Sequence, residues 1–157
     1  MQIILASAKI MNDKATVPEG ITATSPQFQQ EAQALAHDMM QYPAETLAEM
    51  LGCSRAIASQ NRLRYLRFDD PHEPLPAILA YHGQAYKHLK AETLDVPTLL
   101  KAQGHLWVMS FLYGLLRPLD DIRPYRLEGH VELPSAGGGT LFDYWKPRLT
   151  GKQARSE

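Results

Sequence analysis

The sequence predicts an α+β domain in which a mixed β-sheet is surrounded by helices. Three observations carry that prediction. Short apolar runs suited to buried strands occur at 2–6, 77–81 and 105–112. Segments with capping residues and helical spacing of apolar side chains lie between them. The connections around Gly114 and Gly129 are too irregular for a regular series of right-handed crossovers, which favours α+β over α/β.

The elements follow in order. The first strand covers 2–6, and residues 11–24 are polar, contain Pro18 and Gly20, and read as a loop. Ser25-Pro26 predicts a helix start, with Ser as the cap and Pro in the first turn. Phe28, Ala32, Leu35 and Met39 then form its core stripe. Tyr42-Pro43 ends that helix and begins another over 44–51, closed by Gly52 in a left-handed conformation. Ser54 caps a third helix running to about Phe68, where Asp69-Asp70-Pro71 breaks it. Pro74 and Pro76 lead an extended chain into a strand at 77–81, Gly83 turns it, and 84–89 forms one or two helical turns. Asp95-Val96-Pro97 opens a helix ending near Gly104, and 105–112 is the second buried strand. Gly114 and Pro118 punctuate the chain that follows. The alternation over 126–133 predicts an outer strand, 134–140 a Gly-rich loop, and 141–149 the start of an amphipathic helix. Residues 150–157 carry no packing signal.

Composition bounds the function. The 157 residues, 45% of them hydrophobic, suit one domain and exclude a disordered, collagenous or coiled-coil chain. No apolar run approaches the roughly 20 residues of a membrane span. The stretch from Met1 to Ser7 lacks the basic region of a signal peptide, so the expected location is cytoplasmic and no membrane partner is expected. Cys53 is the only cysteine, which excludes an internal disulfide framework. Sixteen Lys and Arg stand against 17 Asp and Glu, so nucleic-acid binding finds no support in overall charge and must rest on local charge.

Local charge is uneven. Between Glu49 and Asp69 there is no acidic residue, yet Arg55, Arg62, Arg64 and Arg67 fall there. A second group, Arg117, Arg123 and Arg126, contains Asp120 and Asp121. Clustered Arg is the footprint of phosphate binding, and equally that of a solvated helix face.

The segment 44–68 holds the best local motif: two helices joined at Gly52, the second basic. As a helix–turn–helix it would present Ser54, Arg55, Ser59 and Arg62 to bases in a major groove. As a helix–hairpin–helix, the turn Gly52-Cys53-Ser54 and the start of the second helix would hold a phosphate, with Arg55 and Arg62 extending the patch. Helical geometry groups Arg55, Ser59 and Arg62 on one side and turns Ile57, Ala58, Tyr65 and Phe68 toward the core. Arg64 and Arg67 lie elsewhere, within reach of Asp69 or Asp70. Cys53 beside Arg55 is read either as a thiol activated by a helix N-terminus or as a small turn residue.

Several stretches then resemble one family. Ile3-Ile4-Leu5-Ala6-Ser7-Ala8-Lys9 resembles the "SPAK" start of the YaaA-like peroxide stress resistance proteins. Residues 78–89, ILAYHGQAYKHL, are similar to that family's "AFxGDVYxGL" segment. Residues 109–128, MSFLYGLLRPLDDIRPYRLE, resemble its long block "LSGLYGxLRPLDxxxPYRLEM", and Leu141-Phe142-Asp143-Tyr144-Trp145 resembles "LYxFW". The resemblance implies a bacterial protein that limits hydrogen peroxide damage from unincorporated iron. It also implies sequence-tolerant binding of duplex DNA through a helix–hairpin–helix-like element and a positive cleft, within a compact fold peculiar to the family. It departs at Ala8, where the family has proline, at Gln84, at His88, and at Gly129, where Met is common. It implies one domain over 1–157 that stops while the family's fold continues, with a tail over 151–157 unlike the family's continuation.

Two other functions compete. The residues Lys9, Arg117, Asp120, Arg123, Tyr125 and Arg126, with Tyr113, suit an anion-binding cleft in which Arg grips phosphate and Tyr stacks on a base. An enzyme acting on a phosphorylated or nucleotide ligand would use Lys9, Arg117, Asp120 and Arg123. The same residues also suit a structural ion-pair network. An iron-handling protein is the third reading, but the six histidines, His82 and His88 among them, lack metal-ligand spacing. The leading expectation is therefore non-enzymatic, with no cofactor and no metal, and nothing in the sequence sets the oligomeric state.

Overall fold

In the computed structural model, which describes the backbone of residues 1–156 and the side chains of residues 1–150, three strands form one mixed sheet. The strands are β1 (Ile3–Ala6), β2 (Leu106–Ser110) and β3 (Gly114–Leu116), in that spatial order. β1 and β2 run parallel, pairing Ile3 with Leu106 and Ala6 with Met109. β2 and β3 are antiparallel, pairing Val108 with Leu116. Among the described residues there are seven α-helices, α1 (Gln29–Met40), α2 (Ala44–Leu51), α3 (Arg55–Leu66), α4 (Ala77–Ala80), α5 (Gln84–Leu89), α6 (Val96–Gln103) and α7 (Leu141–Ser156), and two short 3-10 turns, Ala91–Thr93 and Pro134–Ala136. A mixed sheet surrounded by helices is what the sequence predicts. None of the described helices is long and apolar enough to cross a membrane.

Local chemistry accounts for most boundaries. Asp95 accepts the N–H of Thr98 and starts α6, with Pro97 in the first turn. Gly52, at φ 62° and ψ 41°, closes α2. The core faces of α1, α2 and α3 meet, burying Leu35, Met39, Leu47, Leu51, Ala58 and Tyr65. Each large apolar side chain so removed from water contributes about 1.5–3 kcal/mol. Trp145 brings α7 onto the sheet, its indole N–H donating to the Phe111 carbonyl at 2.7 Å.

The structure corrects the sequence reading at four places. Residues 77–80 form a helical turn, α4, in place of the predicted strand; the run is buried on every side, so it lacks the period that separates helix from strand. Its N–H groups at Ala77 and Ile78 donate to the carbonyls of Asp120 and Pro118. Residues 126–133 are not a strand. Leu127, Val131 and Leu133 are buried in alternation as predicted, but only Glu132 pairs, in an isolated bridge with Thr140. β3 lies where the sequence reading placed only punctuation. α1 begins at Gln29 after Phe28, not after Ser25, because Thr24 is held extended against Asp120 and delays the helix.

β1 forms an edge of the sheet. Ile3 and Ile4, which point to opposite faces, are 44% and 46% exposed. β1 is therefore only partly covered, through Leu5 against the core, unlike the fully buried parallel strands of most α/β proteins.

Candidate functional site

α2 and α3 are joined by a tight turn at Gly52–Ser54, with the caps the sequence implies. The Cys53 N–H donates to the Ala48 carbonyl, and the Ser54 hydroxyl oxygen accepts the N–H of Ile57 at 3.2 Å. Gly52, Ser54, Arg55 and Ser59 are exposed, while Cys53 and Arg62 are half-buried. The first-turn N–H groups of Arg55 and Ala56 precede the capped Ile57 and have no intrahelical acceptor. Two details differ from a bare phosphate cradle. Arg55 is paired with Glu45 at 3.1 Å, both side chains well exposed, and the Nε of Arg62 donates to the Tyr42 carbonyl at 3.3 Å. Ile57, expected in the core, is 37% exposed, because the core face of α3 runs through Ala58, Asn61 and Tyr65 instead. Asn61 is buried and bonded to the Ile57 carbonyl.

The second basic group is dispersed among structural tasks. Asp120 is buried, accepting the Arg117 N–H at 2.8 Å and the Thr24 hydroxyl at 2.6 Å. Burial raises its pKa above the usual carboxylate value, against those two hydrogen bonds and the charge of Arg117. The Arg117 guanidinium lies over Trp107, 4.8 Å from the ring centroid. Tyr113 and Tyr125 are buried, so neither presents a face to a base. The Tyr125 hydroxyl stands 2.7 Å from that of Tyr81 and 2.5 Å from the Ser110 hydroxyl, and Tyr113 accepts the Arg123 N–H. Lys9 meets Glu128 at 3.5 Å, and Arg126 lies 3.9 Å from the same carboxylate oxygen. Of the proposed quartet, only Arg117 and Asp120 share a bond; Lys9 serves Glu128, and Arg123 serves the end of α3. In the sequence Glu128 carries no site signal, being a lone acid two residues after an Arg.

Arg64 and Arg67 do not pair with Asp69 or Asp70. Arg64 meets Asp13 at 3.1 Å, and Asp69 meets His37. Arg64 and Arg67 instead line a cleft of about 600 Å³ between the C-terminal half of α3, the loop at 13–15 and the chain at 122–124. Lys14 and Arg123 join them there. From the sequence Asp13 and Lys14 belong only to a polar loop; distant segments meet here through tertiary packing, which local spacing does not encode.

Among the described residues no group of three or more His, Cys, Asp or Glu side chains is arranged to hold a metal. His72 pairs with Asp121, and His130 lies 2.9 Å from the Met50 carbonyl.

A family model described as peroxide stress protein YaaA matches residues 1–156. A UPF0246 protein of Phocaeicola vulgatus is 44% identical over 151 residues, covering 96% of this chain and 59% of the relative. One from Bacteroides thetaiotaomicron is 45% identical over 151 residues, covering 96% and 58%. A more divergent one, from Phenylobacterium zucineum, is 38% identical over 151 residues, covering 96% and 56%. The chain thus spans less than two thirds of the length of these curated relatives.

Proposed function

The chain belongs to the peroxide stress protein YaaA family, and from that premise we propose that it binds duplex DNA through the α2–α3 hairpin and thereby limits damage from unincorporated iron. The observation that supports this most is the hairpin itself. Gly52 turns the chain with no atom within 4 Å of where a side chain would start, so a phosphate can approach the backbone closely. The start of α3 beyond Ser54 offers free N–H groups and the positive end of the helix dipole. Arg55 stands beside it, and Arg62 lies farther along the same basic helix. Contacts of this kind read the phosphate backbone and not the bases, so binding is sequence-tolerant.

DNA binding and iron connect through counterions. Duplex DNA carries a condensed cation atmosphere, and a basic protein surface seated on the phosphates releases those cations. Ferrous iron held near DNA is part of that atmosphere. A protein that displaces it moves the site of hydroxyl radical formation away from the duplex.

Duplex binding measured across a salt series tests this reading. Affinity falls steeply as salt rises, the Arg55→Ala/Arg62→Ala double variant binds more weakly, and Glu45→Gln, which releases Arg55, binds more tightly. Affinity that is flat with salt, or a double variant that binds normally, overturns it. Nicking of plasmid DNA by ferrous iron and peroxide is slowed by the wild-type chain and not by the double variant.

A further inference from the structure

The cleft beside the C-terminal half of α3 is separate from the hairpin, since neither Arg55 nor Arg62 lines it. Its charge is unusual for its surroundings. Four permanent cations, Lys14, Arg64, Arg67 and Arg123, face two lining carboxylates, Asp13 and Glu73. Among the described residues Lys14, Arg67 and Arg123 have no carboxylate partner. Arg123 spends its two terminal nitrogens on the carbonyls of Asp70 and Arg67, which fix the guanidinium without neutralising it. Arg64 is 13% exposed, and its one ion-pair partner, Asp13, is largely in solvent. Its Nε is buried with no hydrogen-bond acceptor. Its Nη1 and Nη2 donate to Asn61 and Asp13, and each keeps a second N–H that an incoming oxyanion can take.

Apart from Gln60 and His72, the remaining lining is apolar. Leu63, Leu75, Ile122 and Pro124 contribute to it, and a volume of about 600 Å³ falls in the range of small-molecule sites. A lining that combines cations with aliphatic surface suits a small ligand with an anionic end and a flat or apolar body. A bare inorganic ion would leave the apolar lining in water.

We infer that this cleft binds a phosphate monoester of nucleotide size, its dianion among Lys14, Arg64 and Arg67 and its ring against Leu63, Leu75 and Pro124. Arg123 holds the end of α3, and with it the Arg67 backbone, in place for that contact. The site lies outside the hairpin, and its occupation does not depend on DNA binding.

Calorimetric titration of the whole chain with adenosine, guanosine and cytidine monophosphates, with adenosine and inorganic phosphate as the two halves, tests the inference. The expected result is binding of a monophosphate, at least roughly tenfold tighter than either half. Lys14→Gln/Arg67→Gln, both at exposed positions and so without effect on folding, weakens it by roughly tenfold or more. Arg55→Ala/Arg62→Ala leaves it unchanged. Three results overturn the inference: no heat from any monophosphate at millimolar concentration, binding indifferent to Lys14→Gln/Arg67→Gln, or displacement of a bound monophosphate by duplex DNA in stoichiometric proportion. The last would make the cleft part of the nucleic-acid surface. Loss of DNA binding in the hairpin variant with monophosphate binding intact separates the two sites.

Discussion

Arg123 donates through Nη2 to the carbonyl of Arg67 at 2.9 Å, so one cation closes the end of a helix that carries another. Its Nη1 reaches the Asp70 carbonyl at 2.8 Å, and together these bonds satisfy backbone acceptors just beyond α3. Hydrogen bonds from a charged donor contribute more than neutral ones, but both lie near solvent, so their joint worth is about 1–2 kcal/mol. Arg123→Ala therefore lowers the unfolding free energy, read from urea denaturation, by that amount. Arg123→Lys recovers little, because an ammonium lacks the planar fork that spans two carbonyls. A Lys variant as stable as the wild type would show that the fork geometry is irrelevant.

Asp120 makes a different prediction. Its carboxylate joins Thr24 to the turn after β3, and burial raises its pKa above 3.8. The native state then binds the proton more tightly than the unfolded chain. The corresponding stability is complete below about 3.8 and is lost as pH rises through the higher native value. Asp120→Ala leaves the Thr24 hydroxyl and the Arg117 N–H without an acceptor and costs about 2–4 kcal/mol. Asp120→Asn keeps one acceptor, turns a donor toward the other partner, and cannot titrate. Urea midpoints of wild type and Asp120→Asn thus draw closer from acid toward neutral pH. A gap that stays constant over that span would mean Asp120 does not titrate differently in the two states.

These residues also show how much was legible beforehand. Capped helices were visible because Ser54, Asp95 and Gly52 act within one turn of chain, and α2, α3 and α6 lie where those residues put them. The short run at 77–80 was not, because an apolar segment buried all round has no period to read. The hairpin residues could be grouped from spacing alone, since a helix fixes their geometry. The cleft could not, because Lys14, Arg67 and Arg123 are joined only by packing between segments some fifty residues or more apart. The roles of Tyr113 and Tyr125 were likewise hidden: a tyrosine among arginines looks like a stacking platform until its burial is known. Gly129, where the family often has Met, fits its own surroundings, with Phe111 and Phe142 filling the space beside it.

Two glycines with left-handed backbone separate conformational strain from crowding. Gly52 and Gly114 have φ of 62° and 75°. A side chain at Gly52 meets nothing, whereas a Cβ at Gly114 would come within 2.5 Å of the Trp145 ring. Gly52→Ala thus costs only the backbone preference, about 1–2 kcal/mol. Gly114→Ala adds displacement of a packed Trp, for a combined loss of about 2–5 kcal/mol. Thermal unfolding of the two variants distinguishes them, and equal losses would show that Trp145 shifts without cost.

Alkaline unfolding gives the sharpest test of the core. Tyr65, Tyr81, Tyr86, Tyr113 and Tyr125 all have pKa values raised above 10, in each case chiefly by burial. The Ser110 hydroxyl oxygen accepts the N–H groups of Leu112 and Tyr113, so its own proton goes to Tyr125. That chain of hydroxyls has no place for a phenolate without a partner. Below pH 10 all five are neutral in both states and folding is unaffected. Above it, the unfolded chain releases protons that the native state retains, and stability falls by about 1.4 kcal/mol per pH unit for each tyrosine. Tyr65, Tyr81, Tyr86 and Tyr113, the most strongly shifted, together give up to roughly 5 kcal/mol per pH unit, comparable with the about 5–15 kcal/mol that holds a typical domain together. The protein therefore unfolds within about two pH units above 10, with phenolate absorbance and far-ultraviolet circular dichroism changing together. Tyr86→Phe, which removes one titrating group at the cost of the 2.7 Å bond to the Ala6 carbonyl, makes the alkaline transition shallower. Gradual phenolate formation with the circular dichroism unchanged would overturn the prediction.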